Sequence, residues 1–271
     1  MYLAVDIGGT KTLLAAFYSD GTIKQQIKFP TPPDYDDFLL ELEANIKALG
    51  VDDYKSACVA SPGLIDREEG IGIAYGNLAW QNVPIGPDLE RLAGCPVVVE
   101  NDAKLAGLSE AQLIKKEFNN VLYITISTGI GTGVITNGKI NPSFLDAEGG
   151  KILLEKDGHL KSWESFASGK AIKKKYGMRA SEINDPKIWK AISRDIAIGL
   201  VDNIAIIQPD VIVIGGGVGA HFQKFKAPLL AEMRKYDTPL VPTPAIRQAV
   251  RSEEAVIYGC YLLARESSPL K

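Results

Sequence analysis

One module occurs twice in this chain. The first copy runs Met1-Tyr-Leu-Ala-Val-Asp6-Ile-Gly8-Gly9-Thr10-Lys11-Thr12, continues through an apolar stretch and reaches Asp20-Gly21. The second runs Val121-Leu-Tyr-Ile-Thr-Ile-Ser127-Thr128-Gly129-Ile-Gly131-Thr132-Gly133, then Val134-Ile135, then Asn137-Gly138. Each reads as a strand, a Gly/Thr loop, a second strand and a tight turn. Asp-Gly and Asn-Gly are strong hairpin signals, because a type I′ turn needs positive φ at both central residues. A Gly/Thr loop offers backbone N–H groups and hydroxyls to an anion, and glycine lets the backbone come close. One such hairpin alone is ordinary. Two of them, one in each half, predict two lobes that grip one polyphosphate.

The rest of the chain narrows the class. Its 271 residues suit one large domain or two medium ones. A net charge of −3 gives no electrostatic footprint for nucleic acid or an anionic membrane. The cluster Lys170, Lys173, Lys174, Lys175 and Arg179 reads as the solvated face of a helix. Cys58, Cys95 and Cys260 are isolated and no C-x-x-C occurs, so neither a disulfide framework nor a cysteine zinc site is readable. With only His159 and His221, a His-rich metal site is not expected either. No signal-peptide pattern opens the chain, and no apolar run approaches the ~20 residues that span a bilayer. The expected setting is the cytoplasm, with no membrane partner.

Strand and helix patterns alternate in one order, given twice. In the first half, strands are predicted at 1–7, 13–18, 22–29, 56–60 and 96–100, with helices at 36–49 and 103–116. In the second half, strands are predicted at 121–127, 133–136, 139–141 and 211–214, with helices at 168–176, 187–207, 221–233 and 255–265. This is a duplicated α/β architecture of βββαβα lobes. The Gly/Pro/Asn-rich stretch 61–95 reads as an irregular excursion. The lobe boundary is placed near Phe118-Asn119-Asn120. Residues 1–118 form the N-terminal lobe, closed by a C-terminal helix over 255–271, and 119–254 form the second.

Three places carry groups able to do chemistry. Glu100-Asn101-Asp102 follows the apolar run Val97-Val98-Val99, at the end of a strand where open α/β sheets hold ligands. Asp102 is either a general base or merely the N-cap of the next helix. Glu148 and Glu164 lie in glycine-bent loops, where they suit polyol hydroxyls, a glycosidase pair or solvent. Val211-Ile-Val-Ile214-Gly215-Gly216-Gly217-Val218-Gly219-Ala220 formally fits G-x-G-x-x-A. No strand ending in an acidic residue follows at the distance a dinucleotide ribose needs, so glycines lying against a nucleotide are the more economical reading.

These elements, in this order and over nearly the whole chain, resemble the ROK family of sugar kinases. That family lies in the actin-like ATPase superfamily. The matched motifs are Asp6-Ile-Gly-Gly-Thr-Lys11, Ser61-Pro-Gly63, Asn77-Leu78, Glu100-Asn-Asp102, Ser127–Gly133, Glu148-Gly-Gly150, Trp163–Gly169 and Gly215–Val218. The resemblance implies a two-lobed, ribonuclease H-like fold with an interlobe cleft. By the same resemblance Asp102 is the catalytic base, and Asn101, Glu148 and Glu164 hold sugar hydroxyls. Gly63 and Asn77 line the sugar side. Asp6, Gly8, Gly9, Thr10, Lys11 and Thr12 form one phosphate loop, and Thr128, Gly129 and Gly131 belong to the other. Gly215, Gly216 and Gly217 lie on the adenosine side. ATP is the implied donor, with Mg²⁺ arriving on it and Asp6 as a candidate ligand; a homodimer is the implied assembly.

One departure stands out. Zinc-bearing relatives follow their Glu-x-x loop with a histidine that serves both metal and sugar, and then with a cysteine-rich segment. Here Lys151 stands at the histidine position, and residues 152–163 contain no cysteine. The metal site is lost as a unit, so no zinc is expected, and Lys151 is a candidate sugar contact. The expected function is ATP-dependent phosphorylation of a hexose or hexose derivative on its primary hydroxyl. The alternative is a non-catalytic sugar sensor on the same fold.

Overall fold

The computed structural model describes residues 1–251 and 253–268. The chain divides into two compact units: Met1–Ser109 with the chain from Glu254 onward, and Glu110–Glu253.

The first unit opens with β1 (Tyr2–Ile7), β2 (Lys11–Phe17) and β3 (Ile23–Pro30), an antiparallel meander. Helix α1 (Tyr35–Ala48) follows, started by the Asp34 carboxylate, which accepts from the N–H groups of Asp36 and Asp37. Then come β4 (Ser56–Ser61), β5 (Leu64–Asp66), β6 (Ile71–Ala74), β7 (Gln81–Val83), α2 (Ile85–Ala93), β8 (Val97–Asn101) and α3 (Asp102–Ile114). β4 pairs parallel with β1, and β8 parallel with β4, giving the sheet order β3-β2-β1-β4-β8.

The second unit repeats this plan. β9 (Asn120–Ile126), β10 (Ile130–Thr136) and β11 (Lys139–Ile140) form its meander. β12 (Leu153–Lys156), β13 (His159–Ser162), α4 (Glu164–Ala167), α5 (Gly169–Tyr176) and the long α6 (Pro186–Ile207) follow. β14 (Val211–Gly215), α7 (Gly216–Gly219), α8 (Phe222–Met233) and β15 (Ala245–Gln248) complete it, with the sheet order β11-β10-β9-β14-β15. The last helix, α9 (Ala255–Glu266), belongs to the first unit and packs on β1 and β4.

Strand periodicity explains the layers. Along β1, Leu3, Val5 and Ile7 face one side with Phe38, Leu42 and Ile46 of α1; Tyr2 and Ala4 face the other, with Cys260, Tyr261 and Ala264 of α9. Both faces are covered, so the strand reads as a continuous apolar run. α9 lies tight against α3: a Cβ at Gly259 would stand 2.1 Å from the Leu105 carbonyl oxygen.

The structure corrects several expectations. The turn at Asn137-Gly138 is type I′-like, with φ of 53° and 76°. At Asp20-Gly21 only the glycine has positive φ. There Gly21 N donates to Tyr18 O and Tyr18 N to Thr22 O, which makes a three-residue loop with a glycine bulge. The stretch 61–95 is not irregular: β5, β6 and β7 form their own three-stranded antiparallel sheet, followed by α2. Residues 152–163 form the hairpin β12–β13, turned by Asp157-Gly158 with φ of 56° and 77°. β15 carries too little apolar alternation to be read as a strand, and it forms by parallel pairing with β14.

Candidate active site

The first glycine loop joins β1 to β2 and is braced from β3. Gly8 N donates to Lys11 O at 3.0 Å, and Thr31 Oγ1 donates to Gly8 O at 2.8 Å. Thr12 is fully buried with its hydroxyl 2.9 Å from that of Thr31, so it holds the loop from beneath instead of facing a phosphate. Thr10 and Lys11 are exposed at the tip. A Cβ on Gly9 would sit 2.7 Å from the Cβ of Asn77, so Asn77 lies against the loop itself. Gly63, at φ +93°, has room for no side chain: a Cβ would stand 2.1 Å from Ala74 O.

At the end of β8 the roles divide. The Asn101 Oδ1 accepts from Ala103 N at 3.0 Å and caps α3. Asp102 is the first helical residue, and its Oδ1 lies 2.7 Å from the N–H of Ala103. The Glu100 carboxylate is buried and gripped by Arg67, whose Nε reaches both oxygens at 3.0 Å and whose Nη2 reaches Oε1 at 2.8 Å. Oε1 also accepts from Asn101 N at 2.7 Å. Arg67 thus fixes the turn that carries Asp102. Sequence reading missed it because it comes from the β5–β6 turn, 33 residues away in the chain. Asp6, at the end of β1, stands close enough to Asp102 to feel its charge. Its carboxyl is pushed up to about 7, chiefly by burial and then by Asp102, against a pull from Lys28.

The second glycine loop joins β9 to β10. Ser127 N donates to Gly129 O at 2.9 Å, and Gly169 N donates to Ser127 O at 2.7 Å, tying the loop to the start of α5. Glu164 sits on the same loop: its Oε2 accepts from Ile130 N at 3.3 Å, and a Cβ on Gly129 would meet that oxygen at 2.8 Å. Its Oε1 accepts from Lys151 Nζ at 2.5 Å. Glu164 is placed by its neighbour Trp163, which is fully buried, donates from Nε1 to Asp195 O at 3.1 Å, and packs where only Gly199 leaves space on α6. Gly149 and Gly150 press onto β10; a Cβ on Gly150 would stand 2.1 Å from Ile130 O. Glu148 is exposed beside them.

Behind this loop lies a cavity of about 510 Å³, lined by Ser127, Thr128, Gly169, Lys170, Lys173, Arg179, Ala180, Ser181, Gly217 and Val218. Gly216, at φ +78°, lets the β14–α7 turn close to 2.6 Å from Ile126 O, measured from where a Cβ would be. Of the cations read as a solvated helix face, Lys170, Lys173 and Arg179 therefore line a cavity together with a phosphate-type loop and the glycines after β14. The clue in the sequence was the run Ser168-Gly169-Lys170, which gives α5 a capped start.

Residues 2–267 match the ROK family. The chain belongs to the ROK family. The glucokinase of Streptomyces coelicolor is 25% identical over 315 residues, covering 99% of this chain and 98% of the relative. An N-acetylmannosamine kinase of Vibrio vulnificus is 30% identical over 294 residues, with 98% of each covered. The crystal structure of a ROK family glucokinase from Streptomyces griseus, in complex with glucose and AMPPNP, superposes with a TM-score of 0.83 at 24% identity. It spans 98% of this chain and 99% of its own. The fold is thus the two-lobed actin-like ATPase fold, and the protein is a sugar kinase in class.

In this ROK chain the segment after Lys151 is the β12–β13 hairpin, and Cys58, Cys95 and Cys260 are buried free thiols. Among the described residues no three His, Cys, Asp or Glu side chains gather as a metal cluster. Asp6 and Asp102 are hard oxygen donors whose mutual repulsion a divalent cation would relieve. They suit Mg²⁺ that arrives on substrate phosphates and keeps its waters, rather than a cation held in an all-protein cage.

Proposed function

We propose that this ROK sugar kinase transfers the γ-phosphoryl group of ATP to the primary hydroxyl of a hexose or N-acetylated hexose, with Asp102 as general base. The observation that carries the reading is the division of labour at the end of β8. Asn101 caps α3 and Arg67 holds Glu100, and together they fix the strand end at which the Asp102 carboxylate, accepting from Ala103 N through Oδ1, stands within reach of the charge of Asp6. Asp102 takes the proton as the hydroxyl oxygen attacks phosphorus in line and ADP leaves. This base and the Gly8–Lys11 loop belong to the first unit. The Ser127–Gly133 loop and the cavity beside Gly217, whose size suits a nucleoside, belong to the second.

Sugar hydroxyls are assigned to Asn101, Glu148, Glu164 and Lys151, with Gly63 and Asn77 on the sugar side. Phosphates are assigned to the loop N–H groups with Lys11 and Thr128. Asp6 would hold Mg²⁺ arriving with ATP, and the ion would supply neutralisation of phosphate charge. The related kinases for glucose and N-acetylmannosamine support a hexose-sized acceptor. Asp102→Asn tests the reading. Turnover should fall roughly 10²–10⁴-fold while the sugar still binds, as seen in a coupled ADP-release assay beside calorimetry. Near-normal turnover would place the base elsewhere. The same assay over a panel of hexoses and N-acetylhexosamines names the acceptor.

A further inference from the structure

A second cavity of the second unit has no part in this chemistry. It measures about 490 Å³ and lies where β12, α5, α6 and the end of α8 meet. Its wall holds six cations and two carboxylates. That local excess of four positive charges arises in a chain whose net charge is −3.

The two carboxylates are already spoken for. Asp195 is buried; its Oδ1 accepts from Lys156 Nζ at 2.5 Å and its Oδ2 from Lys175 Nζ at 3.1 Å. Glu232, also buried, takes Lys235 Nζ on both oxygens at 2.7 Å. Lys187, Lys190 and Arg194 are different. They stand at i, i+3 and i+7 of α6, on one face, with the small Ala191 between them leaving the floor open. All three are exposed, and none has an ion-pair partner among the described residues. Like charges at this spacing destabilise a helix, so the stripe is a cost to the unliganded protein.

We propose that this cavity is a second anion site, which binds a small ligand with two or more negative charges of the phosphate-ester or pyrophosphate class. The concave shape and the volume fit a phosphorylated small molecule. The guanidinium of Arg194 offers a planar fork to two phosphate oxygens, and Lys187 and Lys190 add point charges beside it. The Asp195 bridge pins the Lys156 and Lys175 stems, so part of the wall is pre-ordered. The site is separate from the nucleotide cavity in its lining residues and does not depend on the assignment of the base.

The test is calorimetry and thermal melting with inorganic phosphate, pyrophosphate and glucose 6-phosphate. The proteins are the full chain, the triple variant Lys187→Ala/Lys190→Ala/Arg194→Ala, and Lys170→Ala as a control in the other cavity. One equivalent of at least one probe should bind the wild type and raise its Tm. That equivalent should weaken at least tenfold in the triple variant and persist in Lys170→Ala. Without anion, the triple variant should melt no lower than the wild type at low salt and should keep its sugar-kinase turnover, which shows that it is folded. Preference among the three probes tells a phosphate ester from a free phosphate or pyrophosphate. Unchanged binding in the triple variant would overturn the proposal. So would a failure of all three probes while a poly-glutamate or an RNA oligomer binds the same face.

Discussion

The two glycine loops share a strand plan but are anchored by different chemistry. The first follows Asp6 and belongs to a unit whose anchors are buried: Thr12 and Thr31 beneath the loop, and the Arg67–Glu100 pair beside Asp102. The second follows Ile126 and is held from outside by Glu164, itself paired with the largely exposed Lys151. Removing solvated, screened charges costs little; removing one partner of a buried pair leaves an uncompensated charge. Anchors in the first unit should therefore govern stability and turnover, and those in the second should govern ligand affinity.

The sharpest test of that contrast is Arg67→Ala. It strands the Glu100 carboxylate, so a stability loss of about 3–5 kcal/mol is expected in chemical denaturation. Turnover should fall with it, because the turn carrying Asp102 loses its clamp. Arg67→Lys, which keeps the charge but not the fork, should recover only part of both. Glu164→Ala comes next. The part-buried Ile130 N–H loses its acceptor and the sugar loses an assigned hydroxyl ligand, so KM for the sugar should rise roughly tenfold, the order of one hydrogen bond to a charged group, with stability less affected than in Arg67→Ala. Equal stability losses in Arg67→Ala and Glu164→Ala would break the comparison.

Asp6 supplies a pH test of the first loop. Its folded pKa is raised, to about 7, so its contribution favours the folded state fully at low pH and is lost as pH rises toward and through 7. In magnesium-free protein, Asp6→Asn should therefore gain Tm on the wild type as pH goes from 5 to 8. A gap that stays constant over that range would mean the carboxyl titrates normally.

The smallest effect is expected at Lys151. A hydrogen bond to a charged group is worth about 1–3 kcal/mol, but this ammonium is 61% exposed and shared with Glu164. Lys151→Ala should raise the sugar KM only severalfold and leave the ATP KM unchanged in steady-state kinetics. No change at all would show that Lys151 serves Glu164 and not the sugar.

Much of this was legible in the chain. The strand periodicity of β1 and β9, the glycine loops after them and the apolar β8 and β14 are local patterns, and a pattern within ten residues fixes its own strand. The order of strands and helices then implied a repeated plan, and the two sheets have matching order. The short strands of residues 61–83 and β15 were not legible. They carry too few apolar alternations to declare themselves and exist because a partner strand satisfies their backbone groups.

The sequence by itself determined the repeated loops, the strand-end carboxylate Asp102 and the replacement of histidine by Lys151, because each is a matter of residue type and spacing. The tertiary structure alone decided which groups meet. It set Arg67 on Glu100, Asn77 against Gly9, Lys151 on Glu164, and Lys170 and Arg179 around the cavity beside Gly217. Those contacts join segments far apart in the chain. No local propensity encodes them, since they form only when the sheets have brought the loops together.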